Sequence, residues 1–507
     1  PGSEGAALEA LMTLRSKSLV RAYFPTGDEG QTRFGLYESI REYAREKLES
    51  RPEHAQVLVR HTKYFLELGT KLASGAESSK PQLDNLDLER ENLNSVFQRA
   101  LEANDSPAAL TAVLALDPLL TMRGPFGVHL QMLDAVVSRL DEFPKLRTAA
   151  LETRSRARLA RGRAIDAQSD LLEANELAVA AGDRATQGRI AMLLATVERQ
   201  QGLRREARQS LNRGLELLRA VGDLRMEGRT VSNLGVLQHE LGEEEVALET
   251  YNRALEIHRA AGDRRYEGIT LANLGVLQQA LGLLKQARAN YQAALGIHRE
   301  LGSRRSEGIS HINLGDLAAE LEQPGQALAH YESALEILRD VGARRFEGIA
   351  LSSLGSLHLQ YGEYDDAMRR LPEAIDVLRE VGDVRYTGLT LGIRAAAMAL
   401  LGELEAAEED MAEATRLLTD VGDLSFLDAL DLYRAHLELG HALRTGSEHQ
   451  AAVLDERILK RIAHVEKPGA ADEAHPSGTP SPAERSEHVR AALRSLRGAL
   501  QDNGREG

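Results

Sequence analysis

A chain of 507 residues with no cysteine and a formal net charge of −15 can hold no disulfide, thiolate metal site or thiol nucleophile. The charge argues against nucleic acid as a partner, because phosphate contacts need clustered Lys and Arg and these are interspersed with Asp and Glu. The 43 % hydrophobic content is ordinary, the 4 % aromatic content fits helices packed through Leu and Ala, and no stretch reaches the roughly 20 apolar residues that span a bilayer.

No basic-then-apolar leader is visible, so the chain reads as cytoplasmic, and its Pro-Gly-Ser start reads as the edge of a piece cut from something longer. Leu8, Leu11 and Leu14 predict a first helix, residues 18–24 have a strand pattern, and Pro25-Thr26-Gly27-Asp28 reads as a turn. A second strand passes through Phe34 and Leu36, a helix runs from Glu38 to Leu48, and another is expected from Leu86 to Glu102. The segments "LRSKSLVRAYF" and "RFGLYESIREYAREKL", with "LDLERENLNSVFQRALE" and "TMRGPFGVHLQMLD" further on, resemble the end of the winged-helix segment that follows the nucleotide-binding domain in STAND-type ATPases. The resemblance implies a partial winged-helix segment over 1–50, a helical junction with degenerate first repeats over 51–140, and a bacterial parent with an ATPase or kinase domain upstream on the same chain. Arg15, Lys17, Arg21, Arg33, Arg41, Arg45 and Lys47 are balanced by Glu9, Asp28, Glu29, Glu38, Glu42, Glu46 and Glu49. A DNA-associated transcription regulator is therefore the weakest of the three functional readings, after a sensor and a constitutive scaffold.

From there a glycine returns every forty residues, at Gly182, Gly222, Gly262, Gly302, Gly342, Gly382 and Gly422. A fixed period of that size means a solenoid. Within one copy, Asp263 is placed to cap a helix, Leu271, Leu274, Leu277 and Leu281 form its apolar stripe, and Gly282 ends it. The second helix carries Ala287, Tyr291, Ala294 and Leu295, small residues beside one aromatic. These slots, with Leu234-Gly235, Leu274-Gly275, Leu314-Gly315 and Leu354-Gly355, resemble the tetratricopeptide repeat. The period of 40 instead of 34 and the missing closing Pro resemble its long variety in kinesin light chain and in the arms of bacterial signalling ATPases. The fold class expected is all-α: a right-handed superhelical solenoid of 40-residue repeats over 141–422, with a small winged-helix-like hairpin at the N-terminus. Capping helices over 423–465, a Pro/Gly/Ser-rich linker over 466–487 and a short helix over 488–507 complete the chain. The last, with Val489, Leu493, Leu496 and Leu500 on one stripe, is a domain stub, a peptide that docks back, or a frayed tail.

Motifs for phosphate loops, zinc proteases, serine hydrolases and dinucleotide sites are all missing, and the His residues fall at unrelated repeat positions. The expectation is a non-enzyme with neither cofactor nor metal. Function would then sit on the inner face. At 100° per residue Asn273 shares a face with Ile269 and Val276, and the matching sets include Arg229 and Asn233, then Ile309, Asn313 and Asp316, then Ile349 and Ser353, then Leu389. An Asn amide donates and accepts at once, which suits the backbone of an extended peptide or protein segment. The resemblance points the same way, because Asn residues in such slots hold peptides in kinesin light chain and in bacterial pheromone receptors. The competing reading is that these Asn residues bond a neighbouring helix. Along another face, Arg225, Arg265, Arg305, Arg345 and Arg385 are expected to pair with Glu227, Glu267, Glu307 and Glu347.

Overall fold

The computed structural model describes residues 4–23, 32–76, 80–124, 126–161, 163–421 and 424–445. The expected turn at 25–28, the corner at 422–423, the capping segment beyond 445, the linker 466–487 and the helix 488–507 lie outside them. The described residues form 22 helices and one two-stranded sheet. They fall into two units, Pro1–Ser74 with Asp84–Leu116, and Gly75–Leu83 with Asp117–Gly507.

The first unit opens with α1 (Glu4–Ser16) and an antiparallel hairpin of β1 (Val20–Tyr23) and β2 (Arg33–Leu36), with Val20 opposite Leu36. Helices α2 (Glu38–Glu49) and α3 (His54–Ala76) follow. The helix expected from Leu86 to Glu102 is broken in two, α4 (Lys80–Leu88) and α5 (Arg90–Glu102), at Glu89. Its carboxylate is buried and takes an ion pair from Arg33 of β2 at 2.7 Å and a hydrogen bond from Asn92 Nδ2 at 2.8 Å. A buried charge held by such partners outweighs the helical propensity of the flanking residues.

After α6 (Ser106–Arg123) and α7 (Phe126–Val137), the second unit is a succession of helix pairs: α8 (Pro144–Ala160) and α9 (Ala164–Ala180), α10 (Arg184–Gln200) and α11 (Arg204–Val221), α12 (Leu224–Glu240) and α13 (Glu244–Ala260), and α14 (Arg264–Ala280) and α15 (Leu284–Glu300). Then come α16 (Arg304–Glu320) and α17 (Pro324–Asp340), α18 (Arg344–Gln360) and α19 (Tyr364–Val381), α20 (Val384–Leu400) and α21 (Leu404–Val421), and a final α22 (Leu424–Thr445). The corners work as the sequence suggests. Gly262 is left-handed with φ 63°, and Asp263 caps α14 by accepting from the Tyr266 amide at 3.3 Å. Replacing Asp263 by Ala should cost about 1 kcal/mol in thermal or urea denaturation. The corner at Ala343 has no such bond and serves as the internal reference. Where Gly is lost, Glu322 itself takes φ 56°, and Pro324 restarts the next helix.

In the four pairs from α12–α13 to α18–α19 the Leu-Gly glycine lets the helices meet. A Cβ on Gly275 would stand 2.6 Å from the Tyr291 ring, and one on Gly315 would stand 2.6 Å from that of Tyr331. These tyrosines, with the alanines on either side of them, are the buried anchors of the core.

The expected charge ladder forms with different partners. Glu267 takes Arg259 Nε at 2.8 Å and Arg264 Nη1 at 2.5 Å, Glu307 takes Arg299 and Arg304, and Glu347 takes Arg339 and Arg344. Each glutamate thus bonds the end of the preceding helix and its own first turn. The 40-spaced arginines stack instead on aromatics of the following repeat: Arg305 lies 5.4 Å from the Phe346 centroid, Arg345 5.7 Å from Tyr386 and Arg385 5.3 Å from Phe426.

The second unit also touches itself across a long stretch of sequence. Arg123 Nε, at the end of α6, donates to the Val341 carbonyl at 3.5 Å. Arg161, after α8, lies 3.8 Å from the position of a Cβ on Gly382. Equivalent corner residues record the difference: Val221 is 44 % and Leu301 40 % exposed, whereas Val341 is 2 % and Val381 6 %. The starting helices of this unit therefore lie beside the corners that lead into α18 and α20.

Candidate functional site

The first helices of the pairs α12–α13 to α20–α21 present the predicted inner-face residues in register. Asn233, Asn273 and Asn313 are half-buried, and among the described residues none of the three amides has a hydrogen-bond partner. Ile269 and Ile309 lie half-buried beside them, and Val276 is 38 % exposed.

Toward the C-terminal end the face carries a shallow open cleft. Four of the predicted residues, Asp316, Ile349, Ser353 and Leu389, line it together with Ser356, Gln360, Ile393 and Tyr433. The Tyr331 hydroxyl donates to Asp316 Oδ1 at 2.5 Å and keeps that carboxylate turned into the cleft.

Three predicted residues sit differently from expectation. Arg229 is committed within the array: its Nη2 donates to Asp263 at 3.1 Å, and its guanidinium lies 3.8 Å from the Tyr266 centroid. It braces the capped corner, because the Asp263 carboxylate and the Tyr266 face offer a desolvated cation more than open solvent does. Leu389 is only 2 % exposed and Ile349 8 %, so the open apolar stripe does not run the length of the face. The cause is α22. Leu430 lies against Gly392 of α20, 2.4 Å from a Cβ placed there, Phe426 meets Tyr386 edge-on at 5.2 Å, and the Tyr433 hydroxyl comes within 3.4 Å of Ser356 Oγ on α18. Tyr433 is thus a cleft residue that sequence reasoning missed. The signal was available in the apolar positions of 424–437, but α22 departs from the repeat spacing and so could not be placed by phase.

Histidines enter where the period places no catalytic group. Against the expectation of unrelated repeat positions, His258 and His298 lie one period apart and share the slot that Leu338 and Leu378 fill elsewhere, each pressed under a glycine, and burial holds both pKa values down, that of His298 to about 4. His311 and His330 meet Nδ1 to Nδ1 at 3.0 Å, with Arg299 Nη2 3.2 Å from the His311 Nε2. Burial first, then His330 and Arg299, lower His311 to about 4. His358, Glu363 and Asp366 bring their donor atoms within 4.8 Å of one another, but His358 bonds Glu363 at 2.6 Å and Asp366 pairs with Arg369. The first is a hydrogen bond and the second an ion pair at the corner between α18 and α19.

Residues 188–260, 227–300 and 266–340 match the tetratricopeptide repeat family model, and 342–391 match that of anaphase-promoting complex subunit 5. No curated protein matches the sequence. Among solved structures, the chain is similar to a Rap protein complexed with competence and sporulation factor, at 15 % identity and TM-score 0.50, over 72 % of this chain and 99 % of that one. It is also similar to a signal transduction ATPase with numerous domains (STAND) with a tetratricopeptide repeat sensor from Pyrococcus horikoshii, at 18 % and 0.45, over 83 % of this chain and 59 % of that one. A third is NprR in complex with its cognate peptide NprX, at 15 % and 0.45, over 70 % and 99 %. At these identities the likeness is one of fold: a tetratricopeptide-like solenoid. Among the described residues no helix is long and apolar enough to cross a membrane.

Proposed function

We propose that this tetratricopeptide-repeat chain is a non-catalytic, cytoplasmic sensor arm that holds an extended peptide or protein segment along the inner face of α12 to α18. Asn233, Asn273 and Asn313 hold the backbone of that segment, Ile269, Val276 and Ile309 meet its apolar side chains, and the cleft around Asp316, Ile349, Ser353 and Leu389 takes one end. The observation that carries this reading is the row of three amides, half-buried and without partners among the described residues, since each is a donor and acceptor waiting for a bond. The Rap structure, a similar solenoid crystallised with a factor, supports the same class of role. The hairpin of β1 and β2 fits a winged-helix remnant, and on this reading the arm reports to an ATPase or kinase domain upstream in the parent chain, in the manner of STAND regulators.

The test is a double substitution, Asn273→Ala with Asn313→Ala. It removes two dual donor-acceptor groups but little packing, so the melting temperature should barely move. Affinity for a partner recovered by pull-down should fall by about 1–3 kcal/mol in isothermal titration, at roughly 0.5–1.5 per hydrogen bond. Unchanged affinity would place binding off the inner face. An unaltered ATPase or kinase output of the parent on ligand binding would make the arm a scaffold.

A further inference from the structure

The cleft at the end of the inner face departs from the period. In the slot of Asp316 the other repeats from α12 to α20 carry Val236, Val276, Ser356 and Ala396, so the repeat itself asks for no carboxylate there. The hydroxyl of the buried tyrosine does not ask for one either. One repeat earlier, Tyr291 donates to Gln279 Oε1 at 2.9 Å, a neutral acceptor. Ala319 stands in the place of Gln279 and lines the cleft, and Tyr331 donates to Asp316 Oδ1 at 2.5 Å instead. A neutral amide would satisfy that bond as well, so holding Tyr331 leaves the negative charge unexplained.

The lining describes what that charge faces. Ser353, Ser356, Gln360 and Tyr433 bring hydroxyl and amide oxygens to the cleft, Ile349 and Leu389 bring apolar surface, and no Lys, Arg or His among the described residues lines it. Asp316 is half-buried, and a carboxylate so placed is best matched by a cation that arrives with the ligand. The geometry favours an ammonium over a guanidinium. With Oδ1 shared with the Tyr331 hydroxyl, the symmetric two-oxygen fork that Arg prefers is compromised. An ammonium is a point charge with three rotatable donors, which suit one carboxylate oxygen and the hydroxyl and amide oxygens beside it.

We propose that the cleft is an ammonium subsite of the inner-face groove: Asp316 holds a primary ammonium group of the bound segment, supplied by a lysine side chain or by a free N-terminal amine. The inference rests on the inner-face reading above. Its probe is a library of nonapeptides in which Leu, Val, Ser and Thr are randomised, passed over the immobilised full chain and read by mass spectrometry. Three forms are compared: acetylated with norleucine at one scanned position, acetylated with lysine at that position, and the norleucine form with a free N-terminus. The wild-type protein should retain an ammonium-bearing form about tenfold or more over the fully capped one. Preference for the lysine form identifies a side chain as the source, and preference for the free amine identifies a chain end. Asp316→Asn keeps an acceptor for Tyr331, as Gln279 serves Tyr291, so it should erase the preference while the capped form still binds and the melting temperature holds. Asp316→Val, which copies Val236 and Val276 in the same slot, must erase it too. Asn273→Ala with Asn313→Ala should weaken all three forms alike. Peptides retained with no preference for an ammonium, or a preference that survives both Asp316 variants, overturn the subsite and leave the groove reading standing. Retention that depends on Asp316 but ignores the asparagine pair sinks the groove reading alone, and no retention of any form overturns both.

Discussion

Moving the protein from pH 7 to pH 4 should cost the central repeats several kcal/mol, with most of the loss falling between pH 6.5 and 4. His298 and His311 are 4 % and 6 % exposed and have pKa values near 4, against about 6.5 in an unfolded chain. A depressed histidine is neutral in the fold, so across that window the unfolded chain binds the extra protons. Stability is then intact above about pH 6.5 and falls as pH drops, by up to about 3 kcal/mol for each group, with no further loss from these groups below pH 4. His258 and His330 are lowered in the same direction, by burial first. Glu267 and Glu307 add to the loss at the acid end, because their arginine partners outweigh burial and hold both carboxyls below the usual range. Asp170, Glu198 and Glu244, pushed up by burial, oppose it. Urea titrations at half-unit pH steps give the slope. The variant His298→Leu, which copies Leu338 and Leu378 in the same slot, should flatten it, and an unchanged slope would show that His298 is not the source.

The period made most of this fold legible. Gly262 and Asp263 read as stop and start because each has one conformational role, and the Tyr291 slot reads as core because only small residues surround it in sequence. What escaped was whatever departs from the period. Glu89 breaks a helix because Arg33, 56 positions earlier, buries a charge against it, and no local pattern carries that. The glutamate ladder was visible, but its partners depend on side-chain reach, and eight-residue pairs across a corner won over forty-residue pairs between repeats. In the candidate site the Asn register followed from helical phase alone. The burial of Leu389 did not, because it depends on where an off-period helix comes to rest.

Tyr291→Ala should be the most damaging single substitution in the array, at about 3–5 kcal/mol, the range for emptying a buried aromatic site. The side chain is 1 % exposed, its ring lies against the space above Gly275, and its hydroxyl donates to Gln279 Oε1 at 2.9 Å. Because repeats are stabilised mainly by their own packing and by nearest neighbours, loss at this joint should split one unfolding transition into two, with the segments before α14 and after α15 melting apart. Calorimetry would show it, and a single transition shifted as a whole would mean that the array couples over longer range. Gly275→Ala attacks the same contact from the other side and should cost about 1–3 kcal/mol by overpacking. The chain supplies its own compensation, since the pair that corresponds to Gly275 and Tyr291 in the last repeat is Ala395 and Met411, both buried. Gly275→Ala combined with Tyr291→Met should therefore be less harmful than the sum of its parts, with a coupling of about 0.5–3 kcal/mol. Asn273 and Asn313 flank this joint, one on each side. Tyr291→Ala should abolish inner-face binding along with stability, whereas the compensated pair should restore both, and binding that stayed lost in a refolded double variant would show that the groove depends on the tyrosine hydroxyl itself.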